Sequence, residues 1–130
     1  MLTVYFMCGN LRLYLITRRL LHMKVERLEI YAMLALARHI KASMDLAVKH
    51  NWNCTVTKYS SVEVKDAYRY TGNEFKSINQ FYAICYKLRD KGLIFLTVGN
   101  RYNKSWMSFK HEGIDIMKQY KKVLASNIHT

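Results

Sequence analysis

Residues 77–110 read SINQFYAICYKLRDKGLIFLTVGNRYNKSWMSFK. Ser77 and Gln80 have the spacing of a capping box, which marks the start of a helix. Gly92 is suited to end that helix because glycine readily adopts the left-handed backbone conformation. Apolar side chains recur between these two signals at the spacing of one helical face. The stretch therefore predicts a helix over about residues 77–91, packed through Ile78, Phe81, Ile84, Cys85 and Leu88.

A β-hairpin is predicted directly after this helix. Residues 93–98 are apolar and β-branched, residues 99–104 are rich in turn formers, and residues 105–110 alternate as a strand with two different faces does. We expect the tip of the hairpin to form a cationic finger beside the outward face of the helix. The tip carries Arg101, Tyr102 and Lys104.

Three further elements precede this stretch in the sequence. Residues 24–50 have an apolar stripe at helical spacing and many alanines, which predicts a long first helix. Residues 54–59 alternate β-prone side chains, which predicts a short strand. Ser60 and Glu63 repeat the capping-box spacing and predict a second helix that ends at Gly72. The stripe of the first helix consists of Leu28, Tyr31, Leu34, either Leu36 or Ala35, Ile40, Met44 and Val48.

A last helix is predicted over about residues 112–125. Ile114, Met117, either Tyr120 or Lys121, and Leu124 lie along one side of it, and lysines concentrate toward its end. The predicted order is helix, strand, helix, helix, strand, strand and helix. The sequence contains no proline, and no stiff linker divides it, so we expect one compact unit.

The series from residue 87 to residue 124 carries a family resemblance. The run KLRDKGLI is followed by a strand, a basic tip, a second strand and the run HEGIDIMKQYKKVL. This series resembles the helix, wing and helix of winged helix-turn-helix DNA-binding proteins, with the cadence of MarR-type regulators. The resemblance covers roughly the last two thirds of the chain. It implies a mainly helical α+β fold in which the strand at 54–59 joins the hairpin in a small three-stranded antiparallel sheet.

The resemblance also implies how double-stranded DNA would be bound. The helix at 77–91 would enter the major groove, where side-chain amides such as those of Asn79 and Gln80 can pair with adenine. The hairpin tip at 99–104 would lie on the backbone or in the minor groove. Asn79 and Gln80 have a plainer interpretation as helix caps that face water. The candidate DNA-binding residues are Lys76, Ser77, Asn79, Gln80, Tyr82, Tyr86, Lys87, Arg101, Tyr102 and Lys104.

The charge of the chain agrees with an anionic partner. Lys and Arg number 21 against 9 Asp and Glu, which gives a formal net charge of +12. Between Lys76 and Lys110 there are seven cations and one acid, so this segment holds +6, or half of the excess. A solvated surface usually mixes both signs. On charge alone we expect an anionic partner, with nucleic acid first and an anionic membrane surface second. Together with the resemblance, this implies a cytoplasmic transcriptional regulator.

Residues 1–22 form a separate apolar segment that Arg12, Arg18 and Arg19 interrupt. The uninterrupted apolar length is too short for a transmembrane helix, and the order of charges does not fit a signal peptide. Three interpretations remain open: an arm that packs on a partner subunit, a surface-associated segment, or an extension upstream of a domain that starts at Met23. We divide the chain into residues 1–22 and a domain of residues 23–130, and we expect a homodimer through the N-terminal segment, the first helix or the last helix.

The sequence offers no signature of catalysis or of metal binding. It lacks a phosphate-binding glycine loop, a nucleophile elbow and a metal-binding helix motif, so we expect no enzyme activity and no cofactor. Cys8, Cys54 and Cys85 are widely spaced, and the five histidines are scattered, so we expect no metal site. Two alternatives to gene regulation stay open: a winged-helix module for protein or replication-complex assembly, and binding of an anionic membrane surface through the N-terminal arm.

Overall fold

A computed structural model of the chain describes residues 25–51 and 55–128, with side chains described as far as residue 122. The proposed arm at residues 1–22, Met23, Cys8 and Cys54 lie outside the described residues. The chain forms four helices and three strands over the described ranges. They are α1 (Arg27–Lys49), β1 (Val62–Glu63), α2 (Val64–Tyr68), α3 (Ile78–Asp90), β2 (Ile94–Thr97), β3 (Trp106–Phe109) and α4 (His111–Ile128).

The three strands form one antiparallel sheet in the order β1, β3, β2. Ile94 lies opposite Phe109 and Thr97 opposite Trp106, while Val62 of β1 pairs with Met107 on the other edge of β3. The element order and the three-stranded sheet agree with the expected α+β class. One hydrophobic core joins the sheet to all four helices.

Helix α1 occupies nearly the whole predicted range, but its buried face matches the predicted stripe only in part. Leu36 and Ile40 are buried as predicted, and Met33, which is not part of the stripe, is also fully buried. Leu34 and Met44 are only partly buried. Val48 is wrong as a core residue because its side chain is 82% exposed. Several apolar residues follow one another in this helix, so apolar spacing alone left more than one stripe possible.

The predicted strand at 54–59 is wrong in position. Thr57 and Ser60 instead close a turn, in which the Thr57 N–H donates to Ser60 Oγ at 2.9 Å and the Ser60 N–H donates to Thr57 O at 3.0 Å. The strand that joins the hairpin is Val62–Glu63. These residues are extended because they pair with β3. A strand that depends on a partner more than 40 residues away cannot be predicted from the residues around it alone.

The second helix begins later than predicted, because the residues before it pair with β3. Ser60 does not cap a helix, because its hydroxyl accepts from Thr57 and Glu63 is a strand residue. Helix α2 begins at Val64 and ends at Tyr68, before the expected stop at Gly72. The predicted capping box at Ser60 and Glu63 is therefore wrong.

Helix α3 begins and ends close to the predicted residues. Ser77 has extended backbone angles and caps the helix, and Lys91 closes it. Gly92 follows with a φ of +75°, the conformation expected of a glycine helix stop. Phe81, Cys85 and Leu88 are fully buried along the inner face, so the predicted packing face is confirmed.

Candidate nucleic-acid interface

The first turn of α3 is held by two side-chain hydrogen bonds. The backbone N–H of Gln80 donates to Ser77 Oγ at 3.3 Å, and the backbone N–H of Lys76 donates to Gln80 Oε1 at 2.6 Å. The reciprocal cap is shifted by one residue relative to a standard capping box, since Gln80 reaches Lys76 rather than Ser77. Ser77 and the side-chain carbonyl of Gln80 therefore serve the structure of the helix.

Asn79 lies between these two capping residues and projects into solvent. Its amide makes no hydrogen bond to another residue in the described part of the chain. Both its oxygen and its nitrogen are consequently available, which bidentate pairing with adenine requires. Gln80 is half-buried, and its oxygen is already bonded to Lys76. Asn79 is therefore free to contact a base, whereas Gln80 is engaged in capping, although the sequence predicts the same role for both amides.

The later turns of α3 present aromatic and cationic groups. Tyr82 is half-buried and packs against the core, whereas Tyr86 is exposed. The Arg89 guanidinium lies 4.9 Å from the centre of the Tyr86 ring, in cation–π geometry. Lys87 Nζ lies 3.8 Å from Glu26 Oε2, just before α1. Eight residues separate Asn79 from Lys87, so they lie about 12 Å apart along the helix axis.

The tip of the hairpin is an ordered turn. Asn100 Oδ1 accepts hydrogen bonds from the backbone N–H groups of Tyr102 and Asn103, and the Gly99 N–H donates to Ser105 Oγ at 2.8 Å. These bonds fix the backbone while the larger side chains point outward. Tyr102 is 84% exposed.

The two predicted cations of the tip differ in their surroundings. The Arg101 guanidinium is exposed and lies 5.9 Å from the centre of the Tyr102 ring. Lys104 Nζ lies 3.8 Å from Glu63 Oε2, on β1. The Lys104 side chain is 68% exposed although that of Glu63 is only 18% exposed, so an incoming phosphate can still reach the ammonium group.

Part of the positive charge of the segment 76–110 is neutralised by carboxylates that lie outside it in the sequence but close to it in the fold. Glu26, Glu29 and Glu63 lie far from this segment in the chain, yet each pairs with one of its lysines. Asp90 pairs with its neighbour Arg89. Three cations of the segment make no ion pair with a described residue. These are Lys76, Arg101 and Lys110.

The hairpin also exposes aromatic side chains that the candidate DNA-binding residues did not include. Phe95 and Trp106 lie on the outer face of the sheet and are 58% and 43% exposed. Lys110 Nζ lies 4.9 Å from the centre of the Phe95 ring. The alternation of residues 105–110 already predicted that Trp106 and Met107 face opposite ways. This alternation did not predict that the outer face of the sheet would remain exposed to solvent.

Two other features of the described residues bear on function. They contain no group of three or more His, Cys, Asp or Glu side chains placed to share a metal ion. No helix among them is both long enough and apolar enough to cross a membrane.

No protein-family model, no curated protein and no solved structure matches the chain.

Proposed function

We propose that this protein is a winged helix-turn-helix protein that binds double-stranded DNA. Helix α3 is the recognition helix, and the β2–β3 hairpin is the wing. The element order and the position of β1 beside β3 support this assignment. The observation that carries it is the division of α3, whose inner face is core while its outer face offers Asn79, Tyr86 and Arg89 to solvent.

Base reading is assigned to Asn79. Its free amide stands on the exposed first turn of α3, and a helix lying in the major groove reads bases mainly with its N-terminal residues. Lys76 and Lys87 flank it and neutralise phosphates. Tyr86, with Arg89 stacked on it, contacts sugar or phosphate. Gln80 contributes mainly by holding the first turn.

Backbone contact is assigned to the wing. Arg101 is exposed without an acidic partner among the described residues, and Tyr102 projects next to it. An exposed cation beside an exposed aromatic ring suits a phosphate and its sugar. These interactions are independent of sequence, so they supply affinity rather than specificity.

A salt titration of duplex binding tests the wing. Fluorescence anisotropy with a labelled random duplex should give a linear fall of log affinity with log salt. The double variant Arg101→Ala and Lys104→Ala should bind more weakly and reduce the slope by about 2, because each phosphate that is no longer neutralised lowers it by about 0.9. The matched control is Lys49→Ala with Lys122→Ala, which removes two exposed lysines of α1 and α4.

The same measurement separates the alternatives. If the wing variant and the control lose affinity equally, the assignment of the wing is wrong. If the protein binds no duplex at low salt but binds anionic vesicles at high salt, the membrane alternative replaces DNA binding. If duplex DNA is bound, selection from random duplexes followed by sequencing identifies the preferred DNA sequence. A transcriptional regulator should select one defined sequence.

The proposal includes a homodimer, because many DNA-binding helix-turn-helix proteins read two half-sites. Leu46 and Val48 are exposed apolar residues at the end of α1 and offer a surface for it. Val48→Glu should convert a dimer to a monomer in sedimentation velocity without changing the helical content. A wild-type protein that sediments as a monomer at all concentrations would refute the dimer.

A further inference from the structure

An apolar groove lies between residues 34–44 of α1 and residues 114–121 of α4. Its volume is about 540 Å³, which falls within the range of about 300–1,000 Å³ typical of small-molecule pockets. Two of the lining residues are methionines, whose flexible side chains adapt to an apolar occupant. The walls include Leu34, Ile40, Met44, Ile114, Met117 and Tyr120.

Four lysines surround this groove, and no Asp or Glu lines it. Lys41, Lys118 and Lys121 are all exposed, and none of them pairs with a carboxylate in the part of the chain that the structure describes. Lys58 is also exposed, with its ammonium 5.5 Å from the ring of Tyr59. Four cations with no acid among them raise the local positive potential, which attracts an anion.

We propose that this groove binds a fatty carboxylate. The hydrocarbon chain lies along the apolar walls, where it is shielded from water, and the carboxylate lies among the lysine ammonium groups. Tight binding requires both the hydrocarbon chain, which matches the apolar walls, and the carboxylate, which matches the cationic rim. This binding is separate from DNA binding by α3 and the wing.

The charges argue against two other occupants. Residues 1–24 contain Arg12, Arg18, Arg19 and Lys24 and no acidic residue, so this segment would bring positive charge to a cationic rim. A second copy of the chain would bring the same four lysines. Repulsion between like charges disfavours both occupants, whereas it favours an anionic amphiphile.

Calorimetric titration of the full chain with alkyl carboxylates below their micelle concentrations tests the proposal. Octanoate, decanoate and laurate should bind with one site per chain, and affinity should rise by about fourfold per methylene. Dodecyltrimethylammonium, whose hydrocarbon chain is one carbon longer than that of laurate and whose charge is opposite, should bind at least about tenfold more weakly despite the extra methylene. Equal affinity for the two head groups, or no binding of laurate, would overturn the proposal.

Two sets of variants locate the binding. The triple variant Lys41→Gln, Lys118→Gln and Lys121→Gln should weaken laurate binding by about tenfold or more, from three partly exposed ion pairs. The control Lys49→Gln, Lys65→Gln and Arg69→Gln removes the same number of charges from exposed residues that do not line the groove. Equal weakening by the two triple variants would overturn the site.

A third variant fills the groove. Ala37 is half-buried and lines it, so Ala37→Phe should place a ring in the path of the hydrocarbon chain and abolish laurate binding. Circular dichroism of all variants shows whether the fold is kept. Unchanged laurate affinity in a folded Ala37→Phe protein would contradict the proposal independently of the lysine variants.

Discussion

The ammonium nitrogen of Lys91 lies 2.6 Å from Oε1 of Glu29, a residue with no solvent exposure. The same oxygen accepts a hydrogen bond from the backbone N–H of Glu26 at 2.7 Å, whereas Oε2 of Glu29 has no hydrogen-bond partner among the described residues. This ion pair joins the first turn of α1 to the residue that closes α3. It therefore helps to set the position of the proposed recognition helix relative to the core.

Replacing Lys91 should destabilise the protein strongly. Lys91→Met leaves the carboxylate of Glu29 buried without its cation, and removing one partner of a buried pair costs about 3 to 5 kcal/mol. Equilibrium unfolding in urea measures the loss. The double variant Glu29→Met and Lys91→Met should recover most of the lost free energy of unfolding, because no unpaired charge remains.

Lys87→Met is the matched control for this prediction. It removes an exposed lysine whose ammonium lies 3.8 Å from the Glu26 carboxylate, so it should cost less than about 1 kcal/mol. If Lys91→Met costs no more than Lys87→Met, the pair of Lys91 with Glu29 does not stabilise the fold.

Cys85 gives the stability a predictable dependence on pH. Burial of its side chain disfavours the thiolate and raises the pKa of the thiol from 9.0 to about 12. Below pH 9 both the folded and the unfolded state keep the proton, and this contribution is fully present. Between pH 9 and 12 only the unfolded state loses the proton, so the free energy of unfolding should fall by about 1.4 kcal/mol per pH unit.

Cys85→Ala isolates this contribution from the other groups that titrate in the same range. Urea unfolding of both proteins at several values from pH 8 to pH 10.5 should show a shallower decline for the variant. Parallel declines would contradict the prediction. In a Cys8→Ser and Cys54→Ser background, alkylation of Cys85 at pH 8 should also require unfolding.

Gly92 is required for its backbone conformation rather than for space. Its φ is +75°, and a methyl group added there would meet no atom within 4 Å. Gly92→Ala should therefore cost about 1 to 2 kcal/mol from the left-handed backbone alone. Gly92→Asn should cost clearly less, because asparagine tolerates this conformation. Equal losses in thermal unfolding would show that φ is not the cause.

Asn79 and Gln80 should respond differently to substitution, although they are neighbours of similar chemistry. Asn79→Ala should relax discrimination at one base pair of a selected site by about 1 to 3 kcal/mol and leave stability unchanged. Gln80→Ala should cost about 0.5 to 1.5 kcal/mol of stability, because the Lys76 N–H loses its acceptor. Competition binding against single-base variants of the site, together with thermal unfolding, measures both effects.

The local signals of the sequence were sufficient for α3 and the hairpin. The Ser77 cap, the apolar face through Leu88 and the stop at Gly92 all act within a few residues, and each lies at its predicted place. The alternation of residues 105–110 likewise predicted that Trp106 and Met107 lie on opposite faces of the strand. Trp106 is exposed and Met107 is buried, but Ser108 is buried on the face of Trp106, so the alternation did not predict burial. Helical periodicity and strand alternation report such features because they depend only on neighbours along the chain.

Pairing between distant residues decided the rest. Val62 and Glu63 form a strand because β3 lies beside them, and Glu29 is buried because Lys91 reaches it from the end of α3. The charge of the proposed DNA-binding surface was likewise reduced by carboxylates remote in sequence. The groove rimmed by lysines of α1, α4 and Lys58 exists only once the helices pack. Local sequence determined which elements form, whereas packing determined which charges and surfaces meet, since burial and electrostatics depend on distance in space.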